Sequence, residues 1–310
     1  MATTKEIKDR ISSVKNTQKI TNAMYLISST KMRKAKEELD RTRPYFELQR
    51  KEIKRIFRNA EEVDSPYFYP ETGRKEGESY AYLVITADKG LAGSYNYNVL
   101  HEAERVLEKH KKVKLFVVGE YGRHYFMKHD IPITQSFLYT AQNPTFHRAR
   151  EICERLLSEY LNGEVDEIRI IYSDMKNELL CDVKTHRLLP LERGQFETKK
   201  EEIEKMSESE VRKEKNYEFY PSVNKVLDSI IRSYLSGFIY GGLVDSFSAE
   251  QNARMNAMSS ANKNAEELLG DLSIEYNRVR QAAITQEITE VAAGAKAQKQ
   301  RRAREEASRP

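Results

Sequence analysis

The last quarter of the chain, from Pro221 to about Ala295, carries no proline after its first residue and keeps helical spacing throughout. Its apolar residues begin as a broad face, with Val223, Val226, Leu227, Ile230, Ile231, Tyr234, Leu235 and Phe238. They then thin to a three-four stripe of Met258, Ala261, Ala265, Leu268, Leu272, Tyr276, Val279 and Ala283. A broad face belongs against a domain, and a narrow stripe is a seam for another helix. A continuous helix over this span rises about 1.5 Å per residue and reaches roughly 110 Å, far more than a compact domain can bury. The spacing therefore predicts a rod that needs a partner.

A candidate partner lies at the other end of the sequence. Thr3 or Thr4 can cap a helix whose stripe runs through Ile7, Ile11, Val14, Ile20, Met24, Ile27, Met32, Ala35 and Leu39. Gln18, Thr21 and Ser28 fall close to that stripe and make it more polar than a two-stranded zipper prefers, which points to support from other subunits. Lys15, Lys19, Lys31, Arg33, Lys34 and Lys36 decorate the outer faces, either as a solvated surface or as a basic flank toward acidic loops. Arg43-Pro44 predicts a kink or restart, followed by a second amphipathic piece with Tyr45, Leu48, Ile53, Ile56, Phe57 and Ala60.

Between the two ends the period changes. Strand-length apolar runs at Tyr80–Thr86, Val113–Val118, Ile133–Tyr139, Ile168–Tyr172 and Leu179–Leu189 alternate with helical patterns following Ser94, over Tyr121–His129 and over Ala149–Tyr160. That alternation predicts a mostly parallel sheet covered by helices, a Rossmann-like α/β domain. The fold class expected is thus α/β, with a long antiparallel coiled coil of the N- and C-terminal helices. The expected segments are residues 1–62 (N-terminal coiled-coil helix), 78–191 (α/β domain), 192–220 (charged connector), 221–295 (C-terminal coiled-coil helix) and 296–310 (basic tail).

Composition narrows the chemistry. Of 310 residues, 32% are charged and none is Trp, and the mean hydropathy of -0.73 suits one core plus solvated helices. The net charge of +4 is too small to signal nucleic acid by itself, although basic residues gather at Lys31–Lys36 and Lys296–Arg304. Cys153 and Cys181 lack metal-ligand spacing and read as unremarkable thiols of a reducing compartment. The N-terminus has no apolar leader and no apolar run reaches membrane-span length, so a cytoplasmic or peripheral protein is expected.

The turn Asp88-Lys89-Gly90-Leu91-Ala92-Gly93-Ser94 follows a strand and opens a helix, where backbone N–H groups and Lys89 could hold a phosphate. It lacks the third glycine of a dinucleotide fingerprint and the GK[ST] of a P-loop, and a tight structural turn is the plainer reading. The six histidines show no paired-ligand spacing, and Asp166-Glu167 and Glu201–Glu204 read as solvated turns and faces. No catalytic residue, metal site or cofactor site is predicted.

Four motifs carry a resemblance. Ile284-Thr285-x-Glu287-x-x-Glu290-x-x-x-Gly294-Ala295-x-Ala297 resembles the signature of the γ subunit of F-type ATP synthases. So does Ile7-x-x-Arg10-Ile11-x-Ser13-Val14-Lys15-Asn16-Thr17-Gln18-Lys19-Ile20-Thr21-x-Ala23-Met24, with Lys31-Met32-Arg33-Lys34-Ala35 after it. Thr86–Gly93 is similar to that family's loop after the first domain strand, and Ser248–Met258 to its C-terminal helix.

The resemblance implies a bacterial-type central rotor shaft that couples ion-driven rotation to ATP synthesis or hydrolysis on β subunits and performs no bond chemistry itself. Implied partners are the α and β subunits of a catalytic hexamer, an ε subunit and the c-subunit ring, with no nucleic acid and no membrane insertion. The place implied is the cell membrane, peripherally, on its cytoplasmic side. Arg280 and Gln281 match the pair that touches a β-subunit catch loop, Thr285 and Glu287 follow on the same part of the rod, and Lys19 with Arg33 or Lys34 is expected to make electrostatic contacts to acidic β-subunit loops. Two departures stand out: Lys296–Pro310 is basic where the family's rod has an apolar end, and Cys153 and Cys181 do not reproduce the chloroplast regulatory pair. Competing readings are a static coiled-coil scaffold, a basic arm that binds RNA, and a phosphate-binding α/β enzyme.

Overall fold

The computed structural model describes residues 3–59, 65–69, 78–138, 141–175, 181–196 and 219–307. The chain divides into two compact units, one made of the residues up to Leu26 with those from Ala257 onward, the other of Ile27–Asn256. Helices α1 (Thr4–Asn59) and α5 (Val223–Ala307) each enter both. This division cuts through the two long helices.

In the first unit, α1 begins with a reciprocal cap: the Glu6 amide donates to Thr3 Oγ1 at 3.3 Å and the Thr3 amide donates to Glu6 Oε2 at 2.8 Å. Two orphan donors of the first turn are thereby satisfied. The seam then follows a strict three-four spacing of Ile7, Ile11, Val14, Gln18, Thr21 and Tyr25, each buried or partly buried. The facing stripe on α5 is Met258, Asn262, Ala265, Leu269, Leu272, Tyr276 and Val279. Gln18 Nε2 donates to Glu266 Oε1 at 3.4 Å, and Thr21 Oγ1 donates to Asn262 Oδ1. These pairs set an antiparallel register.

The predicted stripes need correction. Ile20 and Ile27 are 62% and 55% exposed, while Gln18, Thr21 and Ser28 lie on the seam itself rather than near it. Leu268 and Ala283 are likewise exposed, and Leu269 takes the seam position. A two-helix seam repeats every 3.5 residues, so choosing every nearby apolar residue drifts off it, and polar side chains occupy true seam positions.

In the second unit α1 continues the same spacing through Ser28, Met32, Ala35, Leu39, Thr42, Phe46, Gln49, Ile53 and Ile56. Pro44 lies inside this one helix, so the expected restart at Arg43-Pro44 does not occur. Proline removes one helical hydrogen bond, but Ala35 and Leu39 before it and Phe46, Ile53 and Ile56 after it pack into the same core. Burial of side chains like these stabilises by about 1.5–3 kcal/mol each, enough to carry the helix across the lost bond.

Five strands form one sheet in the order β3-β2-β1-β4-β5: β1 (Ser79–Ile85), β2 (Lys112–Val118), β3 (Gln135–Phe137), β4 (Glu167–Met175) and β5 (Cys181–Leu189). All pairings are parallel except β4 with β5. Central β1 is buried on both faces, which explains its unbroken apolar run. Its Ala81, Leu83 and Ile85 face α4 (Phe146–Leu161), α1 and α5. Its Tyr80, Tyr82 and Val84 face α2 (Tyr95–Leu107) and α3 (Glu120–Lys128).

Several boundaries shift. The third strand is shorter than Ile133–Tyr139, and Leu179 and Leu180 lie outside the described residues, as do Glu201–Glu204 and most of the charged connector. The tail expected from residue 296 continues α5 as helix to Ala307. Glu167, expected in a solvated turn, is a buried β4 residue whose Oε1 accepts from Arg169 Nε at 2.5 Å. Residues two apart on a strand share a face, which lets a buried carboxylate meet its counterion.

Candidate functional site

The Thr21–Asn262 register places the start of α1 at Thr4 opposite Val279. Beyond Val279, which is partly buried, every residue from Arg280 to Gln300 is exposed. Among the described residues, the rod is therefore two helices up to Val279 and a single helix beyond. Arg280, Gln281, Thr285 and Glu287 all fall on that single-helix stretch. Thr285 Oγ1 donates to the Gln281 carbonyl at 2.9 Å, so the hydroxyl backs onto its own helix, while both arginine and glutamine head groups stand in solvent.

The same stretch shows a stripe that the sequence reading stopped short of. Ile284, Ile288 and Val291 are exposed, Val291 at 72%, and lie four and three residues apart on one helix face, out of phase with the seam, whose next position after Val279 is Ala283. The signal was the same four-and-three spacing, which resumes at Ile284 in a new phase past the end of α1. Three large apolar side chains in a row on a solvated helix mark a face built for something outside this chain.

The basic candidates divide between the units. Lys19 is exposed on the first. Arg33 and Lys34 are exposed on the second, where Lys34 with Lys31 borders a cleft of about 200 Å³ that also meets Glu38, Gln142 and Asn143.

The Asp88–Ser94 turn is tied into the second unit by its own polar groups. Asn96, buried in the first turn of α2, accepts from the Ala87 amide at 3.0 Å. Asp88 Oδ1 accepts from the Glu120 amide at 3.0 Å at the start of α3. Arg254 of α5 donates to the Gly90 carbonyl at 3.1 Å, and its other nitrogen donates to Glu250 Oε1 at 2.5 Å. Burial pushes the Glu250 carboxyl above its ordinary value, opposed by the Arg254 charge. This is the tight structural turn of the sequence reading, with Asn96 and Arg254 as fasteners that the reading left without a role. The available signal was the buried polar run Ser246, Ser248, Glu250, Gln251, Asn252 and Arg254 within an otherwise apolar helix face.

Among the described residues no group of three His, Cys, Asp or Glu side chains is placed to hold a metal, and no helix is long and apolar enough to cross a membrane. Cys153 is buried and Cys181 exposed, both as free thiols.

An antiparallel helix pair whose longer member outruns its partner in one unit, and an α/β sheet packed on other stretches of the same two helices in the second, define a shaft-type subunit of a larger assembly. The family model described as ATP synthase matches residues 3–298. The ATP synthase gamma chain of Caldanaerobacter subterraneus subsp. tengcongensis is 45% identical over 94% of this chain and 98% of its own length. That of Acetivibrio thermocellus is 39% identical over 96% and 100%. A chain in the Euglena gracilis mitochondrial ATP synthase structure of OSCP, F1 and c-ring in rotational state 3 shares the fold at a TM-score of 0.66, with 15% identity over 95% of this chain and 94% of that one. The chain belongs to the ATP synthase gamma chain family and has its role, the rotor of an F-type ATP synthase.

Proposed function

We propose that this chain is the central shaft that turns inside a hexamer of α and β subunits and makes or breaks no bond itself, catalysis residing on the β subunits. The observation that carries this reading is the stretch beyond Val279, a lone helix with Ile284, Ile288 and Val291 turned to solvent. An exposed apolar stripe on one side and polar Arg280, Gln281 and Glu287 around it make the helix different from every direction. Three equivalent β subunits around such a helix meet three different surfaces, and each surface favours a different open or closed state through its own contacts. Rotation thereby becomes a change in nucleotide affinity.

Arg280 and Gln281 make the contact to a β-subunit catch loop, and Thr285 and Glu287 extend it along the helix. Lys19, Arg33 and Lys34 meet acidic β-subunit loops, where exposed charges set orientation and encounter more than affinity. The α/β unit engages the c-subunit ring and an ε subunit, so the chain sits peripherally on the cytoplasmic side of the cell membrane. The driving work enters as ions cross that membrane, about 2.3 kcal/mol per elementary charge per 100 mV.

Reconstitution with the cognate α and β subunits tests the reading. An ATPase-active hexamer holding one copy of this chain is expected, and Arg280→Ala with Gln281→Ala lowers its coupled turnover. Equal assembly and turnover with and without the chain would refute it.

A further inference from the structure

Within the second unit, α1, α4 and α5 surround a cavity of about 330 Å³ that the shaft role does not use. This volume lies at the lower end of small-molecule sites. Helix α4 turns Phe146, Cys153 and Leu157 toward it, and α5 answers with Ser229, Ser233 and Ser236. The opposing serines are too short to fill the gap.

The lining has three chemical zones. Phe146, Leu157 and the Tyr45 ring give it an apolar wall. Arg150 from α4 and Arg232 from α5 bring two guanidinium groups to it from different helices. Each is paired along its own helix, with Glu154 at 3.0 Å and with Asp228 at 3.2 Å. Both pairs are about half exposed and hold their partners by no more than about 1 kcal/mol. A guanidinium has five N–H donors, so each retains capacity for a further anion.

The third zone is a polar wall of Ser229, Ser233 and Ser236. Gln49, 9% exposed, donates through Nε2 to Ser233 Oγ, and Tyr45 Oη lies 3.3 Å from the same oxygen. Gln49 thus backs the wall from behind, and Ser233 Oγ, itself at the cavity, is the atom that a ligand hydroxyl can meet.

We propose that this cavity is a binding site for a small aromatic carboxylate that carries a hydroxyl group. The carboxylate pairs with Arg150 and Arg232, the ring lies among Phe146, Tyr45 and Leu157, and the hydroxyl meets Ser233 Oγ. A bound molecule joins α1, α4 and α5 within the second unit. This site stands apart from the exposed face beyond Val279, and its test does not depend on rotation.

The test uses the full-length chain and 4-hydroxybenzoate as probe, followed by ligand-observed nuclear magnetic resonance titration. Saturable binding is expected, weakened about tenfold by Arg232→Gln and abolished by Ser233→Leu, which fills the cavity. Benzoate and 4-hydroxybenzyl alcohol, each lacking one of the two groups, bind about tenfold more weakly. Near-ultraviolet tyrosine dichroism checks that Ser233→Leu folds; Arg232→Gln, on the partly exposed rim, carries the test if it does not. Absence of saturable binding up to about 10 mM, or binding untouched by either variant, overturns the site. Equal binding by benzoate or by the alcohol overturns the assigned ligand class.

Discussion

Replacing Gly119 by alanine should damage the α/β unit far more than a typical glycine substitution. Gly119 stands between β2 and α3 at φ 97 and ψ 140, a region that side chains avoid, costing about 1–3 kcal/mol. A Cβ there would also lie 2.3 Å from the Thr86 carbonyl oxygen and 2.7 Å from its carbon. Thr86 cannot yield easily. Its amide donates to the Val118 carbonyl at 2.9 Å, its hydroxyl donates to the same carbonyl at 2.9 Å, and that hydroxyl accepts from the Gly122 amide at 3.0 Å. Relief therefore requires backbone movement at the ends of two central strands, adding about 1–3 kcal/mol as overpacking does. The expected loss is roughly 2–6 kcal/mol.

Gly163 provides the control, since it closes α4 at φ 72 with nothing within 4 Å of its would-be Cβ. Gly163→Ala should lose only the left-handed strain of about 1–2 kcal/mol. Urea unfolding followed by near-ultraviolet tyrosine dichroism isolates the effect, because Tyr80, Tyr82 and Tyr95 are buried at the sheet while the long helices dominate the far ultraviolet. Equal losses for the two variants would refute the close approach of Gly119 to Thr86.

Two further outcomes follow from buried charge. Burial, then the neighbouring Asp174, pushes Asp245 up to about 6, with Arg43, Lys184 and Lys36 pulling the other way. Its folded value exceeds the ordinary 3.8, so its stabilising contribution is complete below about pH 4 and lost as pH rises through 6. Asp245→Asn should therefore melt higher than the parent chain at pH 8, by up to about 3 kcal/mol, with the gap closing by pH 4; an unchanged gap contradicts the assignment. Arg254→Met should cost about 3–5 kcal/mol by stranding the Glu250 carboxylate, and adding Glu250→Gln should recover most of it in urea unfolding. Strictly additive losses would show that the two side chains do not act as a pair.

The sequence disclosed the elements more readily than their exact faces. Strand β1 was legible because burial on both sides leaves an unbroken apolar run. The seam of α1 was harder, since Gln18, Thr21 and Ser28 occupy positions where pattern reading expects Ile20 and Ile27. Continuity across Pro44 depends on packing partners from α5, more than a hundred and fifty residues away in the chain, which no local propensity contains. The same distance hid the role of Arg254, whose partner is a carbonyl in the Asp88–Ser94 turn. Arg280, Gln281, Thr285 and Glu287 could be singled out only by motif; their shared exposure depends on where α1 ends.

A cross-link across the seam tests the shaft most directly. Thr21→Cys with Asn262→Cys replaces a hydrogen-bonded pair on facing helices, in a Cys181→Ser background that removes the exposed native thiol. In the assembled complex, mild oxidation should join the two helices within one chain while ATP hydrolysis continues at its uncross-linked rate, because both helices turn as one body. Failure to form the bond, or arrest of hydrolysis once it forms, would contradict a shaft that rotates without unwinding.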